Sequence, residues 1–342
     1  MRPEQWSAFK RAARREPVSP RPVALIVDSP WIPGYAGISH LDYFLDAEKW
    51  YQANRRVADA FPDATLFPSW WVEYGMAVEP SAFGSRIHFY DDRTPDESPA
   101  LLRIEDAAAL SPVNPNTDGL MPFVLHRYRT QKARIFDAGF TIPVVAARGP
   151  LCIAAFLRGV TQFMTDLVES PDLAQCLLIT TTRCVVDWLT AQAEAIGDSV
   201  EGILVLDDIV GFLSPAMYWE FAHTYLKQIC DSFPEGWVKV YHNDANVRPL
   251  LAQLPETGFQ VLNWSHKISV AEAAAKTQKR MCLMGNVDPL GVGVRGTPEE
   301  VYEAGRETIA AAGDAPLILS VGGGVSPGMP AANIEALCRA AR

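Results

Sequence analysis

Apolar residues along the chain follow two alternating rhythms. Short β-rich runs that are apolar throughout recur at intervals, and most are separated by stretches with helical spacing. "PVALIVD" (22–28), "ATLFPSWW" (64–71), "TIPVVAARG" (141–149), "GILVLDD" (202–208), "WVKVYHND" (237–244), "FQVLNW" (259–264), "MCLMGNVDP" (281–289) and "LILSVGGG" (317–324) read as strands. Helices are predicted over 50–62, 169–197, 214–233, 269–278, 297–313 and 330–342, with a further one near 247–254. The Ser170-Pro171 pair marks a helix entry, and Gly197 follows that helix's end. Residues 84–120 are irregular, rich in Pro, Asp and Asn. They read as an excursion or lid that includes a strand at "RIHFYDD".

Strands too apolar to keep one face in water, each followed by a helix, imply a parallel sheet covered on both faces. About eight such units in one chain point to a single α/β domain over 1–342, a (β/α)₈ TIM barrel. An N-terminal helical extension over residues 1–20 precedes the barrel. A doubly wound open sheet is the alternative. No GxGxxG follows the first strand, which removes the main sequence support for dinucleotide binding.

Composition narrows the function. The chain has 342 residues, 49% of them hydrophobic, and a formal charge of −10. An acidic chain without a basic block is a poor ligand for nucleic acid. No run approaches the roughly 18 apolar residues that span a membrane, and the charged opening "MRPEQWSAFKRAARREP" reads as a short amphipathic helix, not a targeting signal. Six scattered cysteines form no CxxC pair, which fits a reduced, cytoplasmic setting.

In a parallel barrel the reactive groups sit where strands end. The polar residues there are Asp28, Glu73, Arg148, Asp207, Asp208, His242, Asn243, Asp244, Asn263, Asn286 and Asp288. His242 and Asp244 are alternate residues and point to similar sides if the strand continues that far. An Asn-Asp pair after a strand is also a common turn signal, and Asp207-Asp208 read equally as a cap for the helix beginning near Ser214. "VGGGVSPG" is either a tight turn or an anion cradle; without a GK[ST] ending it is not a phosphate loop of the NTPase kind.

Several stretches resemble the uroporphyrinogen decarboxylase superfamily: residues 150–196, "ILVLDDIVGFLSPAMYWEFAHTYLKQI", "LMGNVDPLGVGVRGTPEEV" and the ending "LILSVGGGVSPGMPAANIEALCRAA". The resemblance implies a (β/α)₈ barrel with a central cleft. It covers roughly residues 140–342, with weaker support before that. True decarboxylases of the superfamily carry an arginine-rich "RQAGR" segment, whereas this chain has no arginine between Arg21 and Arg55. They also carry a histidine in the last glycine turn, where Gly323 stands here.

The other branch of the superfamily moves methyl groups to or from corrinoid cofactors. Several of its members hold zinc with His-x-Cys and a second Cys in that glycine turn. Here His242 matches the histidine, and Asp244 and Gly323 stand in place of the two cysteines. The resemblance therefore implies a methyltransferase that moves a methyl group from a small methylated substrate, such as a methyl ether, to cobalamin on a partner corrinoid protein. His242, Asp244 and Asp207 are the expected catalytic residues. Asp28, Glu73, Arg148, Asp208, Asn243 and Asn286 are expected to bind substrate. A divalent metal, zinc by analogy, is a candidate cofactor at His242 and Asp244, with Glu73, Asp207 or Glu220 as further donors. A decarboxylase of a small carboxylic acid, using Arg148, and a catalytically altered binding protein of the same fold remain the alternatives.

Overall fold

The computed structural model describes every residue, 1–342. Ten strands are formed. β1 (Ala24–Ile26) and β2 (Thr65–Phe67) make a parallel pair. β5 (Val144–Arg148), β6 (Gly202–Leu206), β7 (Val238–Asn243), β8 (Val261–Trp264), β9 (Cys282–Val287) and β10 (Leu317–Val321) form a six-stranded parallel sheet in sequence order. β3 (Ile87–His88) and β4 (Asp96–Glu97) are a two-residue antiparallel hairpin inside the 84–120 excursion.

The structure is thus α/β with parallel strands, as the apolar runs predict. Two isolated parallel bridges, Val23 to Leu319 and Ile26 to Gly324, tie β1 to β10. No ladder joins β2 to β5; Ser69 Oγ donates to the Thr141 carbonyl across that seam at 3.0 Å.

The pleat sorts each strand's residues onto two faces. Ala24, Ile26, Phe67, Val144, Ala146, Leu204, Leu206, Val238, Val240, Val261, Cys282, Met284 and Ile318 meet in one buried cluster, the inner face of both parallel sheets. Their alternates, among them Leu25, Val145, Val205, Tyr241, Leu262 and Leu319, belong to a larger cluster packed against the helices.

The helix Pro3–Ala13 plugs the inner cluster at the strands' N-terminal end with Trp6 and Phe9. Phe9 stacks on Phe67 at 4.9 Å, a contact worth about 0.5–1.5 kcal/mol beyond area burial. Trp6 Nε1 donates to Glu201, just before β6, at 2.6 Å. With one end closed by aromatic side chains, only the C-terminal ends of the strands remain for a polar cleft.

Boundaries differ from the sequence reading in ways the local chemistry explains. The first two strands span three residues each, because Asp28, Pro68 and Ser69 turn the chain away. The helix expected over 214–233 runs without a break through Pro215–Tyr218, a π-helical stretch Trp219–His223 and Thr224–Asp231. The segment 247–254 is turns leading to a 3₁₀ turn Leu254–Thr257, since the prolines at 249 and 255 remove the donors a helix needs. "RIHFYDD" contributes only the two residues of β3. No single helix is long and apolar enough to cross a membrane.

Candidate active site

Strand parity assigns the mouth. Continuing the inner positions of β6 (Leu204, Leu206) by two reaches Asp208; those of β7 (Val238, Val240) reach His242 and then Asp244. On β8, Val261 is followed by Asn263, and on β9, Met284 by Asn286. The register sets His242 between Leu206 and Asn263.

Asp208, His242 and Asp244 consequently meet. One donor atom from each lies within 4.8 Å of the others. His242 Nε2 stands 3.7 Å from Asp208 Oδ1, which also accepts the Asp244 backbone N–H at 2.9 Å. His242 is 6% exposed. Its Nδ1 lies 2.7 Å from Asn263 Oδ1, while Asn263 Nδ2 donates to the Met284 and Val321 carbonyls at 2.7 and 3.2 Å. Those two carbonyls fix the amide's orientation, so its oxygen must face the imidazole. Nδ1 therefore carries the hydrogen, and in the neutral ring the Nε2 lone pair faces the two carboxylates. Burial, and after it the neighbouring Asp208 charge, push the Asp244 carboxyl up; His242 pulls it back.

The glycine turn after β10 completes this side. A side chain at Gly323 would begin 3.1 Å from Asp244 Oδ2, so this turn lies against the Asp244 carboxylate. Gly322 allows the close approach of His266, whose backbone N would sit 2.4 Å from any Cβ there. His266 Nε2 in turn lies 3.8 Å from Asp288 Oδ2.

A second polar group forms across β1, β2 and β5. Glu73 accepts the backbone N–H of Ser29 at 2.8 Å and that of Gly75. Glu79 accepts the N–H of Arg148 at 2.9 Å. The Arg148 side chain donates to the Gly75 carbonyl at 3.1 Å and lies 5.7 Å from the Trp71 ring. Burial, then the Glu73 charge, push Asp28 up to about 7, with Arg148 opposing. Burial also raises Glu73 and Glu79. The excursion closes over this corner, where Pro95 and Thr94 pack against Gly75.

Several sequence expectations are corrected by parity. Asp207 points away from the mouth. It is fully buried, and its two carboxylate oxygens accept the backbone N–H groups of Leu151 and Cys152 at 3.0 and 2.9 Å. It therefore caps the helix Pro150–Arg158 of the preceding unit. It does not cap the helix after Ser214, which Ser214 caps itself. Asn243 shares that outward parity and donates to the Asp207 carbonyl at 2.6 Å. Asn286 has inward parity, as expected, and one of its amide N–H groups is held by the Ile268 carbonyl at 2.6 Å. Glu220 is exposed on the π-helical stretch and Glu73 sits in the other group, so Asp208 is the third donor beside His242 and Asp244. Sequence reasoning missed His266 and Glu79 and gave Asn263 no role. Only Asn263 carried a usable signal, its place two residues beyond an inward Val261.

A family model described as uroporphyrinogen decarboxylase (URO-D) matches residues 5–342. The chain belongs to the uroporphyrinogen decarboxylase family. A uroporphyrinogen decarboxylase from Xylella fastidiosa is 26% identical, with 96% of each chain covered. One from Chlorobaculum parvum is 26% identical over 66% of each. The solved structure of a methyltransferase from Methanosarcina mazei has the same fold, with a TM-score of 0.85, 22% identity and 98% of both chains covered. The uroporphyrinogen decarboxylase fold thus extends over the whole chain, including the N-terminal third where motif resemblance was weak.

Proposed function

We propose that this family member is a methyltransferase that moves a methyl group from a small neutral or cationic methylated substrate, such as a methyl ether, to a corrinoid on a partner protein. Its cleft is read as the mouth of a closed (β/α)₈ barrel acting in the cytoplasm. The observation that carries the reading is the charge of that mouth. The carboxylates of Asp208, Asp244 and Glu73, with the partly protonated Asp28, outnumber the one guanidinium, that of Arg148, which is already engaged by the Gly75 carbonyl. Such a mouth repels a polycarboxylate like uroporphyrinogen. It suits a substrate without negative charge.

Cob(I)alamin would supply the electron pair that forms the carbon–cobalt bond as the donor's carbon–oxygen bond breaks. The protein must then neutralise the departing oxygen. His242 and Asp244 face the cleft where they can hold the proton or cation that does so. Asp208 fixes the Asp244 backbone and shares the charge. Asp28, whose carboxyl burial pushes up to about 7, would be a hydrogen-bond donor to the substrate from the second polar group. The fold likeness to the Methanosarcina methyltransferase is in keeping with this but rests on fold alone.

The test is spectroscopic. Purified protein, cob(I)alamin under strict reduction and a panel of methyl ethers and methylamines should give methylcobalamin, and His242→Ala should abolish its formation. Release of CO₂ from a small carboxylic acid, with no methylcobalamin from any donor, would replace this reading with the decarboxylase one.

A further inference from the structure

The superfamily resemblance implies a zinc ion held by one imidazole and two thiolates, and the residues of this mouth do not fit that group. Asp244 and Gly323 occupy the thiol positions, and a side chain at Gly323 would crowd a carboxylate, not a metal-bound sulfur. Cys152 is buried behind the wall with its backbone N–H on Asp207, and burial raises its thiol well above the ordinary range. No soft donor reaches the site.

We propose instead that Asp208, His242 and Asp244 bind one divalent cation through an all nitrogen-and-oxygen set, selecting a hard or borderline ion of the Mn²⁺ or Zn²⁺ class. Asp208 is a ligand, a role that neither the motif nor the resemblance assigns it. Three observations support this independently. First, the His242 side chain is more than nine-tenths buried, and its Nε2 has no hydrogen-bond partner; the nearest acceptor, Asp208 Oδ1, is 3.7 Å away. Asn263 has already fixed the hydrogen on Nδ1, so the free lone pair is the one aimed into the cluster. This is the arrangement by which a second residue sets the tautomer of a metal-ligating histidine.

Second, the spacing is near what an ion needs. Two donors about 2.1 Å from a tetrahedral ion lie about 3.4 Å apart, against 3.7 Å here for Asp208 and His242. Asp244 is exposed and within 4.8 Å, so a rotation of its carboxylate closes the rest. Third, Asp208 and Asp244 face each other with no Lys or Arg forming an ion pair to either. Two carboxylates this close repel when both are ionised, and a divalent ion reverses that. Gly323 adds no fourth protein ligand, so the coordination sphere stays open to a substrate oxygen.

Carboxylate and imidazole donors suit Mn²⁺, Zn²⁺ or Fe²⁺, whereas thiolates select softer ions. The site would therefore polarise an oxygen and would not activate a thiol. The inference concerns ion binding without substrate, so it stands or falls separately from the methyl-transfer reading.

Protein stripped with a chelator should be titrated with Mn²⁺ and with Zn²⁺ by calorimetry, and bound ion counted by elemental analysis. One ion per chain is expected. Asp208→Asn, Asp244→Asn and His242→Gln should each weaken binding by on the order of 100-fold or more, since even outer partners of a ligand contribute 10–100-fold. Glu220→Gln should bind as the parent does. Thermal midpoints recorded for each variant separate loss of the site from loss of the fold. A Cd²⁺ complex should lack thiolate charge-transfer absorption. Full binding by Asp208→Asn, a thiolate band with Cd²⁺, or no saturable site at micromolar ion would each overturn the proposal.

Discussion

Neighbouring aspartates of opposite parity should fail in opposite ways. Asp207 and Asp208 are adjacent in sequence, and sequence alone gives no reason to separate them. In the structure Asp207 is fully buried and satisfies two helix-end N–H groups, while Asp208 is 29% exposed at the mouth. The experiment is to compare Asp207→Ala with Asp208→Asn at pH 6. That pH is chosen because burial, the largest influence, pushes Asp207 up to about 7, so its carboxyl is largely neutral there and no buried charge confuses the comparison.

Asp207→Ala strands the N–H groups of Leu151 and Cys152 away from water. Each stranded donor costs about 1–3 kcal/mol, and a lost helix cap alone costs about 0.5–2 kcal/mol, so a net loss of about 2–4 kcal/mol is expected. At about 2 °C per kcal/mol, the low end for large domains, the thermal midpoint should fall by about 4–8 °C. Cation affinity should stay within a few-fold of the parent. Asp208→Asn keeps the oxygen that accepts the Asp244 N–H. It should change stability by about 0.5 kcal/mol or less, as surface substitutions do, while losing the ion. Calorimetric unfolding and ion titration on the same preparations provide both readouts. If Asp208→Asn is the more destabilising variant, or Asp207→Ala leaves the midpoint unmoved, the parity assignment is wrong.

Replacing Asn263 with Ala should lower cation affinity about 10–100-fold although its side chain never reaches the ion, and should also cost stability through the bared Met284 and Val321 carbonyls; ion titration with denaturant unfolding checks both. Asp28 and Asp207 should each contribute stability that declines as pH rises from about 4 to about 7. Asp28 and Asp207 have native pKa values of about 7, above the roughly 3.9 of an unfolded Asp. The stabilisation from native proton binding is complete below the unfolded value and lost as pH passes through 7. Urea unfolding of the parent and of Asp28→Asn at each pH reads the contribution as the difference between the two slopes, the variant's being shifted towards a rise with pH; equal slopes would contradict it. Uroporphyrinogen III should not be converted to coproporphyrinogen at an enzyme-like rate, because Arg148 alone cannot offset the carboxylates around it; porphyrin chromatography after oxidation decides this.

The parallel α/β fold was legible because it rests on patterns a single sequence carries. Apolar runs such as "GILVL" and "VKVY" place β6 and β7 within a residue or two, and Ser170-Pro171 and Gly197 bracket the long helix Pro171–Ile196. The excursion could be recognised but not resolved, since β3 and β4 are two residues long and held by one another. The particular contacts that bring β1 beside β10 were not legible either. They are bridges made by residues nearly 300 positions apart, such as Val23 and Leu319.

The site was half legible, and the missing half has one physical cause. A sequence lists which polar residues follow a strand, but the face each occupies depends on how many residues continue the pleat before the chain turns. For β7 the strand runs to Asn243, so His242 and Asp244 share the inner side as alternation suggests. For β6 it ends at Leu206, and both aspartates fall in the loop, where alternation is no longer guaranteed. What keeps Asp208 inward is Asp207, anchored outward by a helix end one unit earlier in the sheet order. Gly149 permits this: a Cβ there would lie 2.3 Å from the Asp207 carboxylate, and its φ of −76° shows that space, not backbone freedom, demands the glycine. The candidate ligand Asp208 is therefore placed by two residues, Asp207 and Gly149, that never face the cleft. A substitution as small as Gly149→Ala should disturb the ion site from behind, displacing Asp207 first and Asp208 with it.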